Sequence, residues 1–272
     1  MARSIGFNKY RVEEFFNNYE TVMKKYKFSP NDIYNIDETG VTTVMKGVKI
    51  VASTGAKQVE QISSAERGEL VTFVEIVNAV GGTVPPVYIY PRIRNPSDYF
   101  IDAPIGSIAL GNKSGWMTTQ LFHEVLKHIV SHTNCSQDNK ILILLDNHES
   151  HASVGIIDYC RNNGIVLLSF PPHTSHKLKP LDVGIYGSFK SKCGVAFNDF
   201  MLSNQGKTIS IKNIAQLTNT AFLASFTPSN IISSLKKTWN MAIQQARIHR
   251  SRFPILLRNR PAADSRTRSC RF

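Results

Sequence analysis

The feature that most constrains this chain is a run of five apolar residues, Ile141 to Leu145, that passes without interruption into an acid, Asp146. A run so short and so branched, bounded by polar residues, suits a β-strand covered on both faces. Such strands belong to α/β sheets with helices packed on both sides. The crevice at their carboxyl ends is where those sheets place functional groups. A second apolar run, residues 165–170, leads into a loop rich in Pro and His and then to Asp182. Far upstream, Asp37 closes another strand-like stretch.

Around this centre the chain reads as alternating elements. Residues 8–26 carry Val12, Phe15, Phe16, Tyr19, Val22, Met23 and Tyr26 on one helical stripe that stops at Ser29-Pro30. Residues 32–37 read as a strand broken at Glu38-Thr39-Gly40, and 49–52 and 70–80 as further strands. Gly81-Gly82 marks a hairpin turn into VPPVYIYP. Residues 92–115 lack periodicity and read as loop, and Trp116, Phe15 and Phe16 are expected in the core. Helices follow after Trp116, over 152–163 with a left-handed stop at Asn162-Asn163-Gly164, and from Asp182 through Tyr186, Phe189 and Cys193. Thr227 and Pro228 open a last helix. The expected organisation is an N-terminal helix (1–28), a catalytic domain (29–205), a helical extension (206–246) and a basic tail (247–272).

Composition narrows the function. With 42% hydrophobic and 19% charged residues the chain is globular. No apolar run approaches the roughly 20 residues of a membrane helix, and the N-terminus does not read as a signal peptide. Its four cysteines are scattered, which suits a reducing compartment and argues against a disulfide framework. Neither a G-x-S-x-G elbow nor a P-loop occurs, which disfavours serine hydrolysis and ATP hydrolysis. The net charge is +12, and the tail from Arg247 holds eight arginines against one acid, Asp264. A polyanionic partner is expected.

Three aspartates at strand ends and a helix start, Asp37, Asp146 and Asp182, can gather hard divalent cations. Mg²⁺ takes oxygen ligands and is held by one or two carboxylates plus substrate phosphates. Two such ions about 4 Å apart clamp the attacking and leaving oxygens of a phosphoryl displacement. Each aspartate also has a plainer reading: Asp182 as a helix cap, Asp146-Asn147 and Asp37-Glu38 as turns.

The strings YNIDETG, AERGELVTF, PPVYIYPR, SGWMT, LLDNHESH and PPHTSHKLKPLDVGIYGSFK resemble, in order and spacing, the DDE superfamily endonuclease domain of the pogo, Tigger and jerky transposases. The resemblance covers about residues 4–199. It implies a ribonuclease H-like fold with a mixed five-stranded sheet and flanking helices. It also implies that Asp37, Asp146 and Asp182 are the catalytic, metal-binding acids, using two Mg²⁺ or Mn²⁺ ions to hydrolyse a phosphodiester at a transposon end and transfer the freed 3′-hydroxyl to target DNA. Asp37 and Asp146 would hold one ion, and Asp37 with Asp182 the other. DNA as partner, assembly into dimers or larger complexes and a nuclear location follow from the same resemblance.

Two departures stand out. The family carries an upstream helix-turn-helix DNA reader, whereas here the sequence is expected to begin with the catalytic part. SLKKTWNMAI and an Arg-rich end also replace the usual TGIYPFNP-like string. The chain would then be a truncated gene copy or a host-adapted derivative. The alternative to an enzyme is a domesticated nuclear DNA-binding protein that keeps the fold without catalysis.

His148, His151, His173 and His176 form two H-x-x-H pairs beside the acids. Four imidazoles could hold zinc, but neither pair has the i, i+4 spacing of a zincin helix. Orienting carboxylates or water, or contacting phosphate, suits them better. Of these, His148, His151 and His176 are candidates for DNA contact. Lys177, Lys179, Lys190 and Lys192 surround Asp182 and could line a DNA groove, with a solvated helix face as the plainer reading. Arg67 is a comparable candidate.

Overall fold

A computed structural model describes residues 9–44, 68–151, 153–172 and 174–246. The expected strand at 49–52, Arg67, His173 and the basic tail lie outside the described residues.

Among the described residues six strands form one mixed sheet in the order β4-β3-β2-β1-β5-β6. The strands are β1 (Ile33–Thr42), β2 (Leu70–Asn78), β3 (Thr83–Pro91), β4 (Ile108–Asn112), β5 (Ile141–Leu145) and β6 (Ile165–Ser169). The pairs β1–β2 and β2–β3 are antiparallel, while β3–β4, β1–β5 and β5–β6 are parallel. The expected count of five is corrected to six. The added strand, β4, lies in the stretch read as loop. Its sequence IALGN is short, Gly- and Asn-bearing and half-buried at the sheet edge, so it shows neither alternation nor a continuous apolar run.

β1 also corrects an expectation. It does not break at Glu38-Thr39-Gly40 but runs on to Thr42, because its register with β2 is continuous from Tyr34↔Asn78 to Thr42↔Leu70. Tertiary pairing overrides the turn character of those residues. The hairpin at Gly81-Gly82 forms as expected, with Gly81 at a φ of 95°. In β3 the two prolines of VPPVYIYP fall where the register with β2 shifts, between Val74↔Val87 and Ile76↔Val84. Proline cannot donate to a ladder, so a bulge is where a strand tolerates it.

Helices cover both faces. Against one pack α2 (Thr119–His132) and α3 (Val154–Asn162), whose Phe122, Val125, Leu126, Ile129, Ile156 and Cys160 meet the odd-numbered residues of β5. The other face receives α5 (Tyr186–Ser203) and α6 (Ile214–Ser225) over β2 and β3. Beside them α1 (Lys9–Tyr26) and α7 (Pro228–Ala246) meet Leu142 and Leu144 of β5. Phe15, Phe16 and Tyr19 of α1 surround Trp239 of α7, with Tyr19 at a ring distance of 4.7 Å. The short α4 (Ser175–Leu178) and a π-helical turn, Leu181–Ile185, connect β6 to α5.

Candidate active site

The site follows from strand register. In the parallel β1–β5 pair, Asn35 lies opposite Leu144. Two residues further along each strand come Asp37 and Asp146. Side chains alternate between faces, so Asp37 shares the face of Asn35, and Asp146 continues the face of Leu142 and Leu144. The two acids therefore meet at the carboxyl end of β5 on the side covered by α5 and α7.

The third element delivers a base as well as an acid. The Lys179 ammonium donates to Oδ1 of Asp37 and to Oδ2 of Asp146, each at 2.9 Å. Lys179 was expected beside a DNA groove. Instead it is 7% exposed, its charge enclosed between two carboxylates. Asp37 is 3% exposed and also accepts from the Glu38 amide at 3.0 Å, while its Oδ2 is buried with no hydrogen-bonding partner among the described residues. Burial pushes the Asp37 carboxyl up to about 8, with the charges of Asp182 and Glu38 adding to the rise and Lys179 opposing it. For Asp146 burial also acts upward, but the His151 hydrogen bond and the Lys179 charge win and hold it well below the usual carboxylate range. The shared lysine thus favours the charged form of both acids, against a desolvation cost that is greatest at the buried Asp37.

His151 sits behind Asp146. Its Nδ1 is 3.2 Å from Asp146 Oδ1 and its Nε2 is 3.4 Å from Glu38 Oε1. The ring is buried against Phe122, with centroids 4.2 Å apart. Burial would lower its pKa, but the acceptor carboxylates of Asp146 and Glu38 beside the ring raise it to about 9. Glu38, Asp146 and His151 lie close enough together to hold one metal ion. His148 is exposed; its backbone amide donates to Asp146 Oδ1 at 3.2 Å, and its ring pairs with Ser150.

Asp182 lies in the π-helical turn rather than at a helix cap. It is the most exposed of the three acids. Desolvation raises its pKa and the charges of Asp146 and Glu38 add to this, while Lys179 and Lys190 oppose it. The turn is pinned from behind: Ser234 of α7 donates to the Pro180 carbonyl, and Tyr186 donates to the Asp37 carbonyl at 2.8 Å. Lys190 is exposed, Lys177 half-buried, and Lys192 bonds the Ala224 carbonyl on α6. His176 falls in α4.

Two acids near the site carry no signal in the sequence. Glu38 looks like part of a turn until β1 is seen to continue through it. Glu75 on β2 stands directly opposite Asp37 in the ladder, is fully buried, and among the described residues no hydrogen bond of normal geometry reaches either of its oxygens. Burial holds its carboxyl well above the ordinary value, weakly opposed by the Ile76 amide. Trp116, expected in the core, is 61% exposed. Its neighbours Ser114 and Gly115 turn the chain outward at the end of β4.

Comparison with known proteins agrees with this architecture. The chain is 28% identical over 216 residues to the "MFS-type transporter clz9" of Cochliobolus lunatus, a match covering 78% of this chain and 23% of that protein. Among the described residues no helix is long and apolar enough to cross a membrane. The pre-cleavage Mos1 transpososome superimposes with a TM-score of 0.56 at 15% identity, over 88% of this chain and 64% of that one. The Mos1 mariner paired end complex with Mn gives 0.56 at 14% identity, over 87% and 61%. The chain therefore spans less than two thirds of these relatives, and what it shares with Mos1 is the ribonuclease H-like transposase fold. Residues 108–251 match the family described as DDE superfamily endonuclease. That match spans more than half of the sequence, and the chain belongs to the DDE superfamily endonucleases.

Proposed function

We propose that this domain hydrolyses and transfers DNA phosphodiesters at a site built from Asp37, Asp146 and Asp182 with two Mg²⁺ or Mn²⁺ ions. The observation that carries the reading is the shared cation between Asp37 and Asp146. Two carboxylates from adjacent strands converge on one positive charge, and a buried oxygen of Asp37 is left without a partner. An all-oxygen donor set of this kind fits a hard divalent ion. Mos1 paired end complexes solved with Mn and with Mg support the same choice of metal.

Bound ions would stabilise charge on the phosphate and lower the pKa of the attacking water. Asp37, fixed in mid-sheet, would set the position of the site. Asp146 would join it from β5, and Asp182 would close the second position from the π-helical turn. His151 is a positioning residue: paired in charge with Asp146 and Glu38, it would fix the orientation of the Asp146 carboxylate. Lys179, freed by an ion, would swing its ammonium on a flexible stem toward a phosphate oxygen. Lys177 and Lys190 would add sequence-independent phosphate contacts. DNA as substrate, assembly with further copies and a nuclear location belong to this proposal.

Titration with Mn²⁺, read by the spin resonance of the free ion, tests it. Wild type should bind, and Asp146→Ala should weaken binding by at least tenfold. Equal binding would show that the three acids are not the metal site.

A further inference from the structure

We infer that Trp116 is a stacking platform for one unpaired nucleobase beside the carboxylates. The inference rests on the proposed DNA chemistry and goes beyond it, because it assigns a base-binding pocket. Trp116 stands at the rim of a cavity of about 250 Å³ lined by Met117, Leu70, Gly40, Glu38 and His148. Drug-sized ligands occupy about 300–1,000 Å³, so this space suits a smaller guest. Two of its walls belong to the active site: Glu38 pairs with His151, and the His148 amide bonds Asp146. A guest here would lie next to a phosphate held at the acids.

An indole 61% exposed would ordinarily be an idle surface residue, but the backbone beneath this one is fastened at several points. Asn112 accepts from the Ser114 and Gly115 amides at 3.0 and 2.6 Å and donates to the Trp116 carbonyl at 2.7 Å. The buried Thr72 hydroxyl donates to the Gly115 carbonyl at 2.7 Å. Gly115 takes a φ of 77°, and a Cβ there would come within 3.1 Å of the Leu70 carbonyl. The loop is thus rigid while its aromatic face is left to solvent, the arrangement expected of a preformed binding surface.

The chemistry of the walls selects the guest. Leu70 and Met117 offer apolar contact, and Gly40 adds bare backbone, with Leu70 Cδ1 packed 2.7 Å from where its Cβ would stand. Glu38 can accept from an exocyclic amine, and His148 can reach a ring nitrogen or carbonyl. An aromatic face, a narrow apolar slot and a few polar groups at its edge are what hold an unstacked base. A paired base cannot enter, so the pocket would act on a strand end or on a nucleotide turned out of the duplex near the scissile bond.

The chain contains two tryptophans, and Trp239 is 2% exposed, so quenching by a nucleic acid reports on Trp116. The probe is a hairpin duplex with a short single-stranded overhang, compared with the same hairpin made abasic along the overhang, both in EDTA. Binding is read by anisotropy of labelled DNA and by tryptophan emission. The overhang bearing bases should quench the emission and bind about 5- to 150-fold more tightly than the abasic one, the range a stacked base contributes. Trp116→Ala should erase that difference and leave abasic binding unchanged, while Trp116→Phe should restore part of it. Equal binding of the two hairpins by wild type would overturn the inference and leave the DNA reading standing. Binding of neither hairpin would overturn both.

Discussion

The Lys179 ammonium lies 2.9 Å from Oδ1 of Asp37, a buried pair that joins two residues 142 apart in sequence. The same ammonium reaches Asp146 at equal distance. The fold thus carries its own cation at the point where a divalent ion is proposed to bind. Lysine and metal must compete for the same two carboxylates.

This competition can be measured. Lys179→Met removes the charge that neutralises a buried acid, and breaking such a pair typically destabilises by about 3–5 kcal/mol. In EDTA the variant should melt well below wild type. Excess Mg²⁺ should then raise its melting temperature by more than it raises that of wild type, because the ion enters without displacing a lysine. Equal Mg²⁺-induced shifts would contradict the shared site.

Glu75 gives a dependence on pH. Its folded pKa is raised by burial, so the folded state keeps a proton that the unfolded chain releases above about 4.3. Stability from this group is full below that pH and falls as pH rises toward the folded value. Glu75→Gln, neutral and of the same shape, should therefore raise the urea midpoint at pH 8 and leave it nearly unchanged near pH 4. A variant less stable than wild type at pH 8 would show that Glu75 is ionised and bonded.

Two glycines separate a close approach from a free surface. A Cβ on Gly184, in the π-helical turn that carries Asp182, would lie 3.0 Å from Ser234 Cα on α7. Gly184→Ala should destabilise by about 1–3 kcal/mol through overpacking. At Gly194, in α5, nothing lies within 4 Å of the added carbon. Gly194→Ala should stabilise by up to about 1 kcal/mol through helix propensity. Thermal denaturation of the two variants in parallel reads both, and equal losses would mean that α7 does not press on the turn.

The central strand and its acid were legible because five apolar residues in a row have few alternatives once both faces are covered. The helical stripe of α1 and the Asn163-Gly164 stop were legible for a similar reason: each is a local pattern with a local cause. β4 was not, since an edge strand of five half-buried residues draws its order from pairing with β3 and carries no period of its own. The same holds for the continuation of β1 through Glu38, which depends on partner residues 28 to 36 positions away along the chain. Lys179 was named as a surface base because sequence marks charge but not burial; only the fold of β6, α4 and the π-helical turn carries it inward. Trp116 failed in the other direction, its exposure set by the outward turn at Gly115.

Asp37, Asp146 and Asp182 are proposed to form one metal-dependent nuclease site. Nicking of supercoiled plasmid in Mg²⁺ or Mn²⁺ tests it most directly, with wild type beside Asp37→Asn, Asp146→Asn and Asp182→Asn, each checked for folding by circular dichroism. Wild type should nick the plasmid, lose all nicking in EDTA, and exceed each of the three variants by at least 100-fold. A folded wild type that binds plasmid and leaves it intact, or nicking that survives in any variant at the wild-type rate, would contradict it.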